Sequence, residues 1–288
     1  VSTIGKDGAI YVSGYTNGAF DSQNSSGGFD IFLTKYNPDG SKVWSKLYGS
    51  KDWDFIRAIT AGLDGSIYVS GYTTGSLDGQ ANTSYCAFMT KFNPDGSRSW
   101  TKTFGSSFND YALSSTTGID GAIYVGGNTD GTLDGQINTG SKDAFLMKYN
   151  SDGSKAWTKI ISSNGFDLAS ALATGHDGSI YVAGAMGGSI DGQMYNGGDG
   201  DAFLTKYTPD GNRVWSRLIG SISNDYALGI TINTDDALYI TGVTSGNFDG
   251  QSNNGGTDVF LSKYNQDGDK LWTQVLGSTS DDFSNAIT

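Results

Sequence analysis

The stretch Asp64-Gly65-Ser66-Ile67-Tyr68-Val69-Ser70-Gly71-Tyr72-Thr73 decides the fold, because the same pattern returns four more times along the chain. Its opening pair recurs as Asp7-Gly8, Asp64-Gly65, Asp120-Gly121, Asp177-Gly178 and Asp235-Asp236, a period of about 57 residues. A short apolar stretch follows each pair, as in Ile10-Tyr11-Val12 and Ile180-Tyr181-Val182, and reads as a strand. A Gly-rich polar loop follows, and then a second strand typified by Asp143-Ala144-Phe145-Leu146-Met147-Lys148-Tyr149.

The next segment is a turn with a mechanism. In Asn37-Pro38-Asp39-Gly40 and its four equivalents, Asp bonds back to the local backbone and Gly takes the left-handed position, and in three of the five a Pro (Pro38, Pro94, Pro209) presets φ. The third strand carries one Trp per unit, Trp44, Trp100, Trp157, Trp215 and Trp272, expected to anchor each unit on its neighbour. An Asp at fixed phase (Asp54, Asp110, Asp167, Asp225, Asp282) announces the fourth strand. Small residues such as Ala58, Ala112 and Ala171 follow it, as an innermost strand requires.

Four short strands per unit predict an all-β fold, a five-bladed β-propeller of four-stranded antiparallel blades, read as one domain over 1–288 with repeats starting near 7, 64, 120, 177 and 235. Val1-Ser2-Thr3 stands in the phase of Ala286-Ile287-Thr288. We therefore expect the C-terminal segment to supply the inner strand of the first blade and close the ring.

Composition agrees and removes several functions. Gly reaches 43 residues, Pro only 3 and aromatics 12%, which suits short strands and tight turns. A net charge of −12 repels phosphate backbones, so nucleic acid is not an expected partner. No apolar run approaches the roughly 20 residues of a membrane helix, and no membrane insertion is expected. Cys86 stands alone and cannot form an internal disulfide.

The repeats resemble the bacterial SBBP β-propeller family, whose unit reads approximately DGxxYVxGxT, a Gly-rich loop, DAFxxKxNxDG and GSxxDxAxxI. Asp30-Ile31-Phe32, Asp143-Ala144-Phe145, Asp201-Ala202-Phe203 and Asp258-Val259-Phe260 stand in the DAF place, and Cys86-Ala87-Phe88 departs from it. The resemblance implies an extracellular or cell-surface address and no general enzymatic activity.

The loop between the first two strands carries the chemistry most suggestive of a ligand. Asp134, Gln136, Asn138 and Asp143, and likewise Asp249, Gln251, Asn253 and Asp258, put oxygen-bearing side chains at loop positions one, three, five and ten. Alternate residues of a tight loop can converge on a hard cation, so Ca2+ is an expected cofactor; Asp21, Asp30, Asp78, Asp191 and Asp201 are weaker equivalents. The same residue types also serve simply as turn caps.

No catalytic set emerges. The five equivalent Asp residues from Asp54 to Asp282 solve one repeated local problem, whereas an acid–base pair needs different environments. His176 is the single histidine and sits in a variable turn slot. Arg57 stands on an inner strand, facing an anion or a nearby Asp. The expected function is a non-enzymatic binding or scaffold module with a protein or glycan partner. Trp53, Tyr85, Phe108, Phe166 and Tyr195 are its stacking candidates for a lectin. A propeller glycoside hydrolase is the enzymatic alternative.

Overall fold

A computed structural model describes residues 1–79 and 84–288. It contains five antiparallel sheets of four strands, each ordered as in the chain. The first holds β1 (Ser2–Ile4), β2 (Ile10–Thr16), β3 (Asp30–Tyr36) and β4 (Lys42–Tyr48). The second holds β5 (Asp54–Ala61), β6 (Ile67–Thr73), β7 (Cys86–Phe92) and β8 (Arg98–Phe104). The third holds β9 (Asp110–Thr117), β10 (Ile123–Thr129), β11 (Asp143–Tyr149) and β12 (Lys155–Ile161). The fourth holds β13 (Asp167–Thr174), β14 (Ile180–Met186), β15 (Asp201–Tyr207) and β16 (Arg213–Ile219). The fifth holds β17 (Asp225–Ile232), β18 (Leu238–Thr244), β19 (Asp258–Tyr264) and β20 (Lys270–Leu276).

The chain packs as two compact units. One comprises 1–117, 121–135 and 147–156; the other comprises 118–120, 136–146 and 157–288. A repeat array has no single central core, because each sheet packs chiefly on its neighbours. The first unit buries Tyr11, Ile31, Leu33, Ile67, Val69 and Phe88 together. In the second, Tyr181, Leu204, Leu238, Ile240, Phe248 and Phe260 form the equivalent cluster.

One expectation is corrected. The inner strand of the first sheet is β1 itself, paired to β2 through Ser2–Val12, Thr3–Tyr11 and Ile4–Ile10, and not the C-terminal segment. The reason is local. A hairpin closed by Gly5 N–H to Ala9 O at 2.8 Å and Gly8 N–H to Gly5 O at 2.9 Å brings β1 onto β2, with little loop entropy to overcome. Residues 277–288 carry no strand; the Asp282 amide bonds Thr257 O at 2.6 Å and the Ser284 hydroxyl bonds Gly242 O at 3.1 Å.

Neighbouring repeats lock through the Trp column. A methyl placed on Gly96 would meet Trp44 at 3.0 Å, one on Gly153 would meet Trp100 at 3.0 Å, and Gly211 and Gly268 stand in the same relation to Trp157 and Trp215. Each indole thus lies under the turn glycine of the following repeat. The Trp157 and Trp215 N–H groups donate to Pro209 O and Gln266 O of those turns at 3.3 and 3.1 Å.

The inner strands are bulged. Pairing with the second strand shifts by one residue between Ile56 and Ala58, Ala169 and Ala171, and Ala227 and Gly229. Arg57, Ser170 and Leu228 are the extra residues, and the small side chains expected for convergence flank them.

Candidate functional site

The fixed-phase Asp residues have a local task. Asp54 Oδ2 accepts from the Ser50 amide at 2.6 Å and the Ser50 hydroxyl at 3.0 Å. Ser106 with Asp110, Ser221 with Asp225 and Ser278 with Asp282 repeat the arrangement. A carboxylate that caps the turn before its own strand is occupied with folding, and repetition gives no acid and base of different character.

The calcium-loop residues are likewise partnered within the protein. Asp134 and Asp249 form ion pairs with Lys155 and Lys270. Asp21 pairs with Lys42 at 2.7 Å, Asp78 with Arg98 at 2.6 Å and Asp191 with Arg213 at 2.7 Å. All five first-position Asp residues adopt positive φ, the left-handed turn conformation that Asx side chains tolerate. Gln136 spans the outer strand, donating to Thr158 O at 2.7 Å and accepting from Ile160 N at 3.1 Å; Gln251 does the same with Thr273 and Val275. The amide of Asn253 donates to Thr244 O at 3.1 Å.

At the tenth position Asp30, Asp143, Asp201 and Asp258 are fully buried and accept main-chain amides from their own loops. Among the described residues no group of three or more Asp, Glu, His or Cys stands close enough to hold a metal. The first and third side chains of these loops brace the outer strand. The middle of the second loop, residues 80–83, lies outside the described residues.

His176 Nδ1 meets Asp236 Oδ1 at 2.6 Å on an exposed turn. Cys86 is half-buried, and burial first and Asp110 second push its thiol up. Arg57 donates to the Tyr72 hydroxyl at 2.8 Å and lies 5.3 Å from the centre of that ring.

Arg57 marks what the repeat does not explain. Tyr15, Phe29, Trp53, Phe55, Tyr72, Tyr85 and Tyr111 form one continuous aromatic ladder in the first unit. Phe55 meets Tyr15 at 4.9 Å, Phe29 at 5.4 Å and Tyr72 at 5.2 Å, and Tyr72 continues to Tyr111 at 4.8 Å and Tyr85 at 5.8 Å. Trp53 joins through Phe29 and Phe55, both at 6.3 Å. Tyr15 is 45% exposed and Trp53 50%, so the ladder has an outer edge open to solvent.

Trp53 is held in place. Its amide accepts no freedom of movement: Trp53 N–H donates to the Thr74 hydroxyl at 3.0 Å, and a methyl on Gly28 would meet its indole at 2.1 Å. Of the five stacking candidates, Trp53 and Tyr85 belong to the ladder, while Phe108, Phe166 and Tyr195 stand outside it. The other repeats replace the ladder's second-strand tyrosines by Asn128, Ala185 and Val243, and Phe29 and Tyr85 by Lys142, Gly200 and Thr257. The signal was present in the sequence as aromatic residues immediately before the third strand in two repeats only. A second, smaller feature is a polar cleft of about 500 Å3 in the other unit, lined by Asn196, Ser221, Ser223, Ser245, Asn247 and Asn253.

Comparison with known proteins places this architecture. Over nearly the whole chain, 96%, it superposes on the WD40 domain of Neurospora crassa Pan2 with a TM-score of 0.52 and 10% identity, covering 65% of that chain. The chain has the β-propeller fold. A Hadza microbial sialidase matches with a TM-score of 0.54 and 11% identity over 96% of this chain and 58% of that one. At such identity both show the propeller fold alone. Residues 63–98 match the family described as "Domain of unknown function (DUF5122) beta-propeller".

Two curated relatives are similar in sequence. The regulatory protein FlaEY of Caulobacter vibrioides is 28% identical over 190 residues, covering 58% of this propeller chain and 20% of that protein. An uncharacterized WD repeat-containing protein of Acanthamoeba polyphaga mimivirus is 25% identical over 258 residues, 68% of this chain and 19% of its own length. The propeller chain thus spans about a fifth of the length of these relatives.

Burial also gives the propeller a pH response. It pushes Asp167 up to about 6, against opposing bonds from Ser163 and Gly187 and with a smaller contribution from Asp143. The folded chain therefore holds this proton more tightly than the unfolded one, whose Asp titrates near 3.8. Stability from Asp167 is lost as pH rises through about 6 and recovered as pH falls toward 4. Two pH units of separation correspond to about 2 to 3 kcal/mol. Urea midpoints at pH 5 and pH 7.5 are expected to differ in that sense, and the difference is expected to shrink in Asp167→Asn.

Proposed function

We propose that this propeller is a non-enzymatic binding and scaffold module of a secreted or surface-associated protein, with the aromatic ladder as its docking edge. The observation that carries the reading is the asymmetry of the ladder. Residues that serve the fold recur in every repeat, whereas seven touching rings gather in one unit, and four of them, Tyr15, Phe29, Tyr72 and Tyr85, stand where the other repeats carry Asn, Ala, Val, Lys, Gly or Thr. Aromatic side chains offer large contact area with few rotors to freeze, and they dominate recognition surfaces for that reason. The resemblance of the repeats to SBBP-type propellers supports the address outside the cell. Purified chain assayed on a panel of glycosides and esters is expected to be inert. Turnover abolished by a single carboxylate substitution would establish an enzyme instead.

A glycan is the second reading, favoured by Trp53. Its half-exposed indole, backed by Gly28 and flanked by Phe29 and Phe55, offers the flat apolar platform on which a sugar ring stacks. On a glycan array this reading predicts discrete binding that weakens at least about tenfold in Trp53→Ala, since loss of one buried aromatic contact commonly exceeds about 1.4 kcal/mol. A blank array assigns the ladder to a protein partner.

A further inference from the structure

In four of the five repeats the first residue of the third strand and the residue 24 places later are both Asp: Asp30 and Asp54, Asp143 and Asp167, Asp201 and Asp225, Asp258 and Asp282. The second repeat has Cys86 and Asp110. The backbone brings each pair together. The Asp54 amide donates to Phe29 O at 2.7 Å and the Asp225 amide to Gly200 O at 2.8 Å, so the head of one inner strand is stitched to the head of the preceding third strand.

Two of these pairs are left with unbalanced charge. Asp30, Asp54, Asp201 and Asp225 are all 0% exposed. In each, Oδ2 accepts hydrogen bonds from its own turn, while Oδ1 is buried and has no partner. No Lys or Arg among the described residues forms an ion pair with any of the four. In the first pair the oxygens converge: a methyl on Gly49 would meet Asp30 Oδ1 at 1.9 Å and Asp54 Oδ2 at 2.9 Å; in the second, one on Gly220 would meet Asp201 Oδ1 at 2.4 Å, and the Asp225 charge acts on Asp201. Burial keeps the carboxyls of Asp54 and Asp225 above their ordinary value and pushes Asp201 up to about 6, with Asp225 contributing by its charge.

The Thr73 and Thr244 hydroxyls act on Asp54 and Asp225, but a neutral hydroxyl does not balance two buried carboxylates, and an uncompensated buried ion costs several kcal/mol, so a positive charge in the seam is favoured. We propose that the Asp30–Asp54 and Asp201–Asp225 seams each bind a hard divalent cation of the calcium class. One shared proton would leave a net negative charge in the seam; a divalent ion neutralises both carboxylates and occupies the free Oδ1 atoms. Backbone carbonyls and water complete the oxygen shell that such an ion prefers. The site differs from the loop site read in the sequence, of which it keeps only Asp30 and Asp201.

The third repeat supplies an internal control. Both oxygens of Asp143 accept main-chain amides, from Thr139 and Gly140. Both oxygens of Asp167 are used by Ser163 and Gly187, and Ser162 stands where the other repeats have Gly49 or Gly220. That seam is satisfied without an ion.

The test is thermal unfolding of the full chain at pH 7.5 in chelator and in millimolar Ca2+, with bound calcium counted after desalting. We expect about two ions per chain and a midpoint raised on the order of 5 °C. Asp30→Asn and Asp201→Asn are each expected to remove one ion and part of the shift, and Asp143→Asn to remove neither. The proposal is overturned if no calcium is retained and the midpoint does not move, or if the shift survives in the Asp30→Asn, Asp201→Asn double variant. A midpoint insensitive to calcium that still rises between pH 7.5 and pH 5 in chelator when Asp167→Asn is present overturns the proposal and assigns a shared proton to the seams. Should the double variant not fold, the ion count on the native chain decides alone.

Discussion

Truncation of Trp215 to alanine is expected to lower the free energy of unfolding by about 3 kcal/mol, whereas the same change at Trp272 costs about 1 kcal/mol or less. The two residues stand at equivalent places in their repeats and differ in what covers them. Trp215 lies under Gly268 at 3.0 Å, donates its indole N–H to Gln266 O at 3.1 Å, and meets Tyr181 at 6.0 Å and the Arg217 guanidinium at 5.2 Å. Its removal opens a void at the junction of two repeats and strands a carbonyl. Trp272 is 38% exposed, and no turn glycine among the described residues lies over it. Denaturant midpoints of the two variants measured side by side check the difference. Equal losses would mean that the indole stabilises its own sheet through its Tyr neighbour and not the contact between repeats.

The repeat was legible because it obeys local rules. Alternation marks strands whatever surrounds them, the Asn-Pro-Asp-Gly turns carry their own stereochemistry, and the Trp column repeats at the period of the chain. The Ser50–Asp54 cap follows from a spacing of four residues, and reading the Asp column as structural required no coordinates. Three other features depend on distance in space. Val1-Ser2-Thr3 and Ala286-Ile287-Thr288 fit the same slot equally well in pattern, and only the short Gly5–Ala9 hairpin decides between them. The loop oxygens alternate along the chain, and the partners that engage them, Lys155 for Asp134 and the outer strand for Gln136, lie 21 and 22 residues away. The Asp30–Asp54 pairing escaped notice because 24 residues, an entire outer hairpin, separate its members. The ladder is half visible in the sequence: Trp53 and Tyr85 stand out as separate aromatics, but the contacts joining them run through Phe29, just before β3, and through Phe55 and Tyr72, which are ordinary strand residues in the pattern.

Replacement of Gly184 by alanine is expected to destabilise the chain by about 3 kcal/mol, at the upper end of the cost of forcing extra volume into a packed interior. Gly184 sits in β14 opposite Ala169 on one side and Phe203 on the other. An added methyl would fall 1.8 Å from Leu168 O and 3.0 Å from the Phe203 ring. The carbonyl is backbone, and it comes this close because the bulge at Ser170 bends the inner strand toward its neighbour. Relief therefore means undoing the bulge, which shifts the register of β13 and with it the head of the strand where Asp167 caps its turn. Gly71 and Gly242 face Phe55 O at 1.9 Å and Tyr226 O at 2.0 Å in the same way, so the constraint belongs to the repeat. Gly18, with nothing within 4 Å and an ordinary φ, is the matched control: Gly18→Ala is expected to be neutral or to stabilise by a few tenths of a kcal/mol. Thermal midpoints of the two variants measure the contrast. If Gly184→Ala unfolds like the native chain, the bulge yields cheaply, and the glycine in this strand is kept for flexibility rather than for space.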